Sequence, residues 1–244
     1  MMFGVPMTTL SVIWVGAFIG ALAAGGAGFA FAFVASSIWL HVLDPVRTTA
    51  LIVACGSLLH ITLVWPIRRS IESARLSPFL AGGIFGVPLG VWLLTRFDPT
   101  CLKGALGLLM IAYGFSMALK LRLSPVFGDS RRADVAIGFV SGALGGVAGY
   151  SGVLTTIWTQ LRGWPKDVAR GVYQPFILFS HLLTLTLVGV LSIDRGGIVL
   201  FALALPPLVA GAWLGFEIYG RLNEVWFGRV LSLMLIGSGA ILFV

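Results

Sequence analysis

Charge is missing from most of this chain, and the gaps are long. No Asp, Glu, Lys or Arg precedes Asp44, and charge-free stretches then cover residues 48–67, 76–95, 104–119, 135–161, 171–193, 196–216 and 230–244. Several match the roughly 20 apolar residues that cross a bilayer as a helix. Only 10% of the residues are charged and 58% are hydrophobic. A soluble domain carries roughly 25% charged residues. The mean hydropathy is +1.02, more apolar surface than one soluble core can hide. A membrane barrel needs alternating strands, not continuous apolar runs. The pattern predicts an all-α, polytopic membrane protein. The net charge of +7 lies in short loops, where it reports orientation toward a cytoplasm and not nucleic-acid binding. No stretch leaves room for a soluble catalytic domain. Cys55 and Cys101 show no metal or redox spacing, and no cofactor, metal centre or catalytic residue is expected.

The chain also repeats itself. Gly20-Ala21-Leu22-Ala23 answers Gly142-Ala143-Leu144-Gly145, and Asp44 with Arg47 answers Asp167 with Arg170. His60 answers His181, and Gly90-Val91-Trp92-Leu93 answers Gly211-Ala212-Trp213-Leu214. The offset stays between 121 and 123 residues. Matches kept in order and in register predict an internal duplication, a common way to build a transporter. The repeats are placed at residues 8–120 and 133–244, with a polar linker at 121–132.

Each half opens with a Gly-rich segment and continues with three ordinary spans. The first segment, about Thr8 to Leu40, would be roughly 50 Å long as one straight helix, against a hydrocarbon core of roughly 30 Å. Its middle reads Gly25-Gly26-Ala27-Gly28, and the second copy reads Gly149-Tyr150-Ser151-Gly152. Glycines of this kind either break a helix or let helices pack closely; their place midway along an over-long segment favours a break. Charge supports this. If each Gly-rich segment crosses once, the sixteen Lys and Arg divide evenly between the two sides. If each enters and returns, twelve fall on one side, and Arg47, Arg96, Lys103 and Arg195 fall on the other. The positive-inside tendency favours the second scheme. The fold expected is therefore two inverted repeats, each a broken or re-entrant helical hairpin plus three transmembrane helices, with basic loops cytoplasmic.

A half-helix that starts inside the membrane presents unpaired N–H groups and a positive dipole end, a setting suited to a small anion. The candidate binding residues are Gly25, Gly26 and Gly28 in the first half and Gly146, Gly149, Ser151, Gly152 and Thr155 in the second, with the anion between the two breaks near the midplane. His60 and His181 are the histidines inside predicted spans, and ionisable groups there are functional candidates. They are expected to couple or gate transport, at least one within side-chain reach of the glycine-lined site. Gln174 precedes Pro175 at a potential kink, and Arg47 and Arg170 stand at the starts of matched spans. Hydroxyls such as Thr155 can instead bond their own helix, and Arg47 and Arg170 can instead pair with Asp44 and Asp167.

The Gly16–Gly28 segment, its second copy Gly138–Gly152 and the duplicated layout resemble the TauE/SafE family of sulfite exporters and related anion transporters, over essentially the whole chain. The resemblance implies a secondary transporter that moves sulfite, a sulfonate or another small sulfur-containing anion across the bacterial inner membrane. The implied partners are the anion and membrane lipid, with homo-oligomer formation left open. Two other functions stay in view. A passive anion channel would share the site. An intramembrane serine protease would use Ser151 as nucleophile, within Gly149-Tyr150-Ser151-Gly152, and His181 as base.

Overall fold

The computed structural model describes residues 6–27, 30–118, 130–192 and 195–219, and a few helical residues between 232 and 240. Every element among them is a helix: α1 (Met7–Ala27), α2 (Phe31–Trp39), α3 (Pro45–Ile67), α4 (Ser73–Arg96), α5 (Pro99–Ala118), α6 (Arg131–Ala148), α7 (Gly152–Leu161), α8 (Lys166–Ser192) and α9 (Arg195–Tyr219). Gly28, most of the expected linker at 121–132, Arg221 and Arg229 lie outside the described residues. Five described segments are long and apolar enough to cross a membrane: Met7–Gly25, Pro45–Ser70, Ser73–Arg96, Lys166–Gly189 and Gly196–Gly215.

Helix starts are written locally. Asp44-Pro45 and Asp98-Pro99 use one device, an Asp that accepts from the first turn and a Pro whose fixed φ suits the first helical position. Asp44 Oδ1 accepts from the Arg47 N–H at 3.0 Å, and Asp98 Oδ1 accepts from the Thr100 and Cys101 N–H groups at 2.8 and 3.2 Å. Those two bonds hold the exposed Asp98 carboxyl below the ordinary carboxylate range. At α6, Ser130 Oγ accepts from the Ala133 N–H.

Both Gly-rich segments fold as hairpins. The first stays helical through Gly25 and Gly26 and turns only beyond Ala27. A glycine inside a helix costs about 1 kcal/mol, too little by itself to end one. Phe31 then packs against Gly20 and Trp39 against Gly16, so α2 runs back along α1, and Trp39 Nε1 donates to the Ile13 carbonyl at 3.2 Å. With 21 residues against 9, the hairpin is unequal, and α1 alone has the length to cross. The second hairpin, α6 and α7, turns at Gly149.

The chain divides into two compact units that do not follow its linear halves. One comprises Met1–Cys55, Phe97–Leu121 and Ser192–Val244, the other Gly56–Arg96 and Arg122–Leu191. In the first, α9 runs parallel to α1, with Gly211 against the backbone of Phe18 and Gly215 against that of Leu22. From α5, Tyr113 stacks on Phe33 at 5.5 Å. In the second unit two glycine stripes face each other: Gly82, Gly86 and Gly90 of α4 lie against Gly138, Gly142 and Gly146 of α6, in parallel register. A Cβ on Gly86 would strike the Phe139 carbonyl, and one on Gly146 the Val87 carbonyl. Where lipid gives helices no hydrophobic reason to associate, close backbone approach at small residues supplies the packing energy. Leu76, Phe79, Trp158, Val172 and Phe176 form an apolar core beside this seam.

Candidate functional site

The break between α6 and α7 is built from one left-handed glycine and one idle cap. Gly149 has φ 76°, a conformation costing an L-residue about 1–2 kcal/mol. Its N–H bonds the Gly145 carbonyl at 2.8 Å and the Tyr150 N–H bonds the Leu144 carbonyl at 3.2 Å, so the carbonyl end of α6 is satisfied. The other side of the break is different. Ser151 sits at the N-cap of α7 without making the side-chain bond expected there. Its hydroxyl is buried and unpartnered.

Ser151 has company. The hydroxyls of Ser141 on α6, Ser180 and Thr184 on α8, and Thr156 on α7 are also buried without a partner. Ser141, Ser151, Ser180 and Thr184 are each 0% exposed. Two of them meet at one place: a Cβ on Gly145 would strike Ser180 Oγ and would lie 2.9 Å from Ser151 Cβ. The absence of a side chain at Gly145 is what lets Ser151 and Ser180 pack together there. Buried polar groups are nearly always bonded, so two unbonded hydroxyls meeting beside the start of α7 is the arrangement that stands out in this unit.

Two histidines border it. His181 Nε2 lies 3.1 Å from the Gly149 carbonyl oxygen, a bond in which the ring nitrogen donates. The ring's other edge packs so closely on the Gly56 backbone that a Cβ there would lie 2.6 Å from Nδ1. His60 Nδ1 is 2.6 Å from Gln174 Oε1. The two rings meet edge to face, centroids 5.3 Å apart. Pro175 lies inside α8 without ending it, so Gln174 is held on a continuous helix beside His60.

The open ends of the hairpin are locked by a buried ion pair. Arg162 Nη2, just past α7, bonds Asp134 Oδ2 in the first turn of α6 at 3.1 Å, with side chains 4% and 5% exposed. Trp158 Nε1 donates to Asp134 Oδ1 at 2.7 Å. Arg162 also lies over the Trp164 ring at 5.3 Å.

The sequence-derived candidates separate. Gly149, Ser151, Gly152 and His181 come together at the break. Gly146 faces α4 as a packing contact. The Thr155 hydroxyl bonds the Ser151 and Gly152 carbonyls of its own helix. Gly25 and Gly26 belong to the other unit, where Ser36 and Ser37 bond the Phe33 and Val34 carbonyls. Arg47 forms the pair with Asp44 at 3.6 Å, half-exposed. Arg170 is exposed near the start of α8. Ser141, Ser180, Gly145 and the Asp134–Arg162 pair were not singled out from sequence. For Ser180 and Thr184 a signal existed: with Gln174 and His181 they crowd polar side chains onto an otherwise apolar helix. A protease would need Ser151 hydrogen-bonded to its base, whereas Ser151 Oγ has no partner and His181 Nε2 engages a carbonyl.

The profile of the sulfite exporter TauE/SafE family matches residues 12–242. The chain belongs to the TauE/SafE family. No curated protein and no solved structure matches it. TauE/SafE proteins are transporters, not enzymes, and membership together with the five apolar helices makes this chain a multi-pass membrane transport protein.

Proposed function

We propose that this TauE/SafE protein is a secondary transporter of a small sulfur-containing oxyanion, sulfite or an organosulfonate, in the bacterial inner membrane. The two repeats are inverted and the basic loops are cytoplasmic. The anion sits near the midplane at the α6–α7 break, facing the N-terminus of α7, Ser151 and Ser180. The observation carrying this reading is the buried, unpartnered Ser151 hydroxyl at a helix N-terminus, with that of Ser180 against the same glycine, donors that an oxyanion would satisfy. Closure of the hairpin by Asp134 and Arg162 supports the scheme in which the segment returns to its starting side, the scheme that gave the twelve-to-four charge division.

His181 holds the Gly149 carbonyl and so fixes the break, and His60 with Gln174 supports His181 from behind. Export of an anion from a negative interior already gains about 2.3 kcal/mol per charge per 100 mV, so the cycle needs no proton carried by the protein. Purified protein in proteoliposomes should take up radiolabelled sulfite, with counterflow against unlabelled sulfite inside. The Ser151→Ala, Ser180→Ala double variant should lose most of that uptake while eluting as a normal monodisperse species. Uptake without counterflow would point to the channel instead. Wild-type rates in the double variant would remove the site.

A further inference from the structure

A site for an anion can be balanced by fixed cations or by dipoles alone, and the two choices select different charges. Among the described residues, Asp134 is the one buried carboxylate, and the equally buried guanidinium of Arg162 is already bonded to it. No other Lys, Arg, Asp or Glu is buried among the described residues. The groups facing the break are therefore hydroxyls, the first turn of α7, and two imidazoles. From α8, His181 donates through Nε2 to the Gly149 carbonyl. Its Nδ1 faces the backbone of Gly56 and no charged group. From α3, His60 is held by the neutral Gln174. With ring centroids 5.3 Å apart, two imidazoliums would repel strongly in this low-dielectric setting. Among the described residues no unpaired buried carboxylate stands by to offset even one.

We infer that this site accepts only singly charged oxyanions and excludes dianions, because its positive potential comes from one helix terminus and neutral donors. The inference rests on the proposed anion site and specifies which ionic form it takes. A helix N-terminus supplies about half a positive charge. Together with hydroxyl donors that suits one negative charge spread over several oxygens. A second charge would remain uncompensated in a buried site, where the cost is prohibitive. Sulfite titrates near neutrality, so the form transported is hydrogensulfite. Any proton that crosses is carried on the anion, and the histidines act as fixed positioning donors. An organosulfonate is singly charged at every accessible pH and is taken equally well on either side of neutrality.

The test uses the full chain in proteoliposomes, radiolabelled sulfite as the probe, and unlabelled methanesulfonate and sulfate as competitors at pH 6 and pH 8. Uptake at fixed total sulfite should fall by about tenfold between the two, following the hydrogensulfite fraction across its titration. Methanesulfonate should compete equally at both pH values, and sulfate in tenfold excess should not compete. Competition by sulfate as strong as that by methanesulfonate would overturn the inference and leave the transport reading standing. A methanesulfonate effect that fades at pH 8 would also overturn it, since a titrating histidine would then supply the charge. No sulfite uptake at either pH would sink the transport reading itself, and the inference with it.

Discussion

Neutralising Asp134 isolates a buried charge and tests the hairpin at once. Asp134→Asn keeps an acceptor for Trp158 Nε1, which donates at 2.7 Å, so the loss is confined to the ion pair with Arg162. That pair is 3.1 Å long with both side chains about 95% buried. Breaking a buried pair by removing one partner costs about 3–5 kcal/mol, because the remaining charge is left uncompensated. For a chain of this size 1 kcal/mol moves the melting temperature by about 2–4 °C, so a loss on the order of 6–20 °C is expected. The assay is thermal unfolding of detergent-solubilised protein followed by size-exclusion chromatography. Arg47→Gln is the control: its pair with Asp44 is 3.6 Å long and half-exposed, a class worth about 0–1 kcal/mol. The double variant Asp134→Asn, Arg162→Gln restores neutrality and should recover at least half of the loss. Were α6 and α7 one straight helix, 28 residues would separate the pair by roughly 42 Å, and the two substitutions would act independently. Additive single-variant effects, or an Asp134→Asn melting temperature within 2 °C of wild type, would refute the buried latch.

Gly149→Val should abolish sulfite uptake, because a β-branched residue at φ 76° is strained, whereas Gly149→Asn should keep more activity since Asn tolerates that region. Transport at the wild-type rate by a normally expressed Gly149→Val protein would contradict the break as drawn. Single cysteines at the exposed positions 68 and 170 should be labelled from the same side of the membrane in cells, and labelling from opposite sides would end the inverted scheme.

The helical class and the hairpins were legible because both are written in length. A charge-free run of 27 residues at 135–161 is too long for one span and too short for two, and the structure breaks it between α6, which ends at Ala148, and α7, which starts at Gly152. The glycines were harder to read. Gly146 and Gly149 are three residues apart and look alike in sequence, yet one packs α6 against α4 and the other turns the chain. The difference lies in the sign of φ and in a neighbouring helix, neither of which a residue type reveals. The hydroxyls show the same limit. Ser and Thr in apolar helices usually bond a carbonyl three or four residues back, as Ser36, Ser37 and Thr155 do. Ser180 and Ser151 do not, and only the packing around Gly145 sets them apart. Asp134 and Arg162 could be paired only once the hairpin was known to close.

The two partitions of this chain, into sequence halves and into compact units, have a common physical origin. A hairpin with a long and a short arm leaves one face of its long helix uncovered, and in a membrane that face must meet another helix through small residues or settle for lipid. In each unit the cover is a Gly-bearing helix from the other half of the sequence. α4 covers α6 through Gly82, Gly86 and Gly90, and α9 covers α1 through Gly211 and Gly215. Gly90 and Gly211 are the very positions that the repeat aligns. The same pairing, parallel in both units and exchanged between halves, is what duplication predicts if the ancestral segment first packed against a second copy of itself. Its consequence is practical: neither half carries the cover for its own hairpin, so the α6–α7 break depends for its rigidity on α4, encoded before the linker. Drift at Gly86 would reach Ser151 and Ser180 through the backbone of α6, without touching either residue.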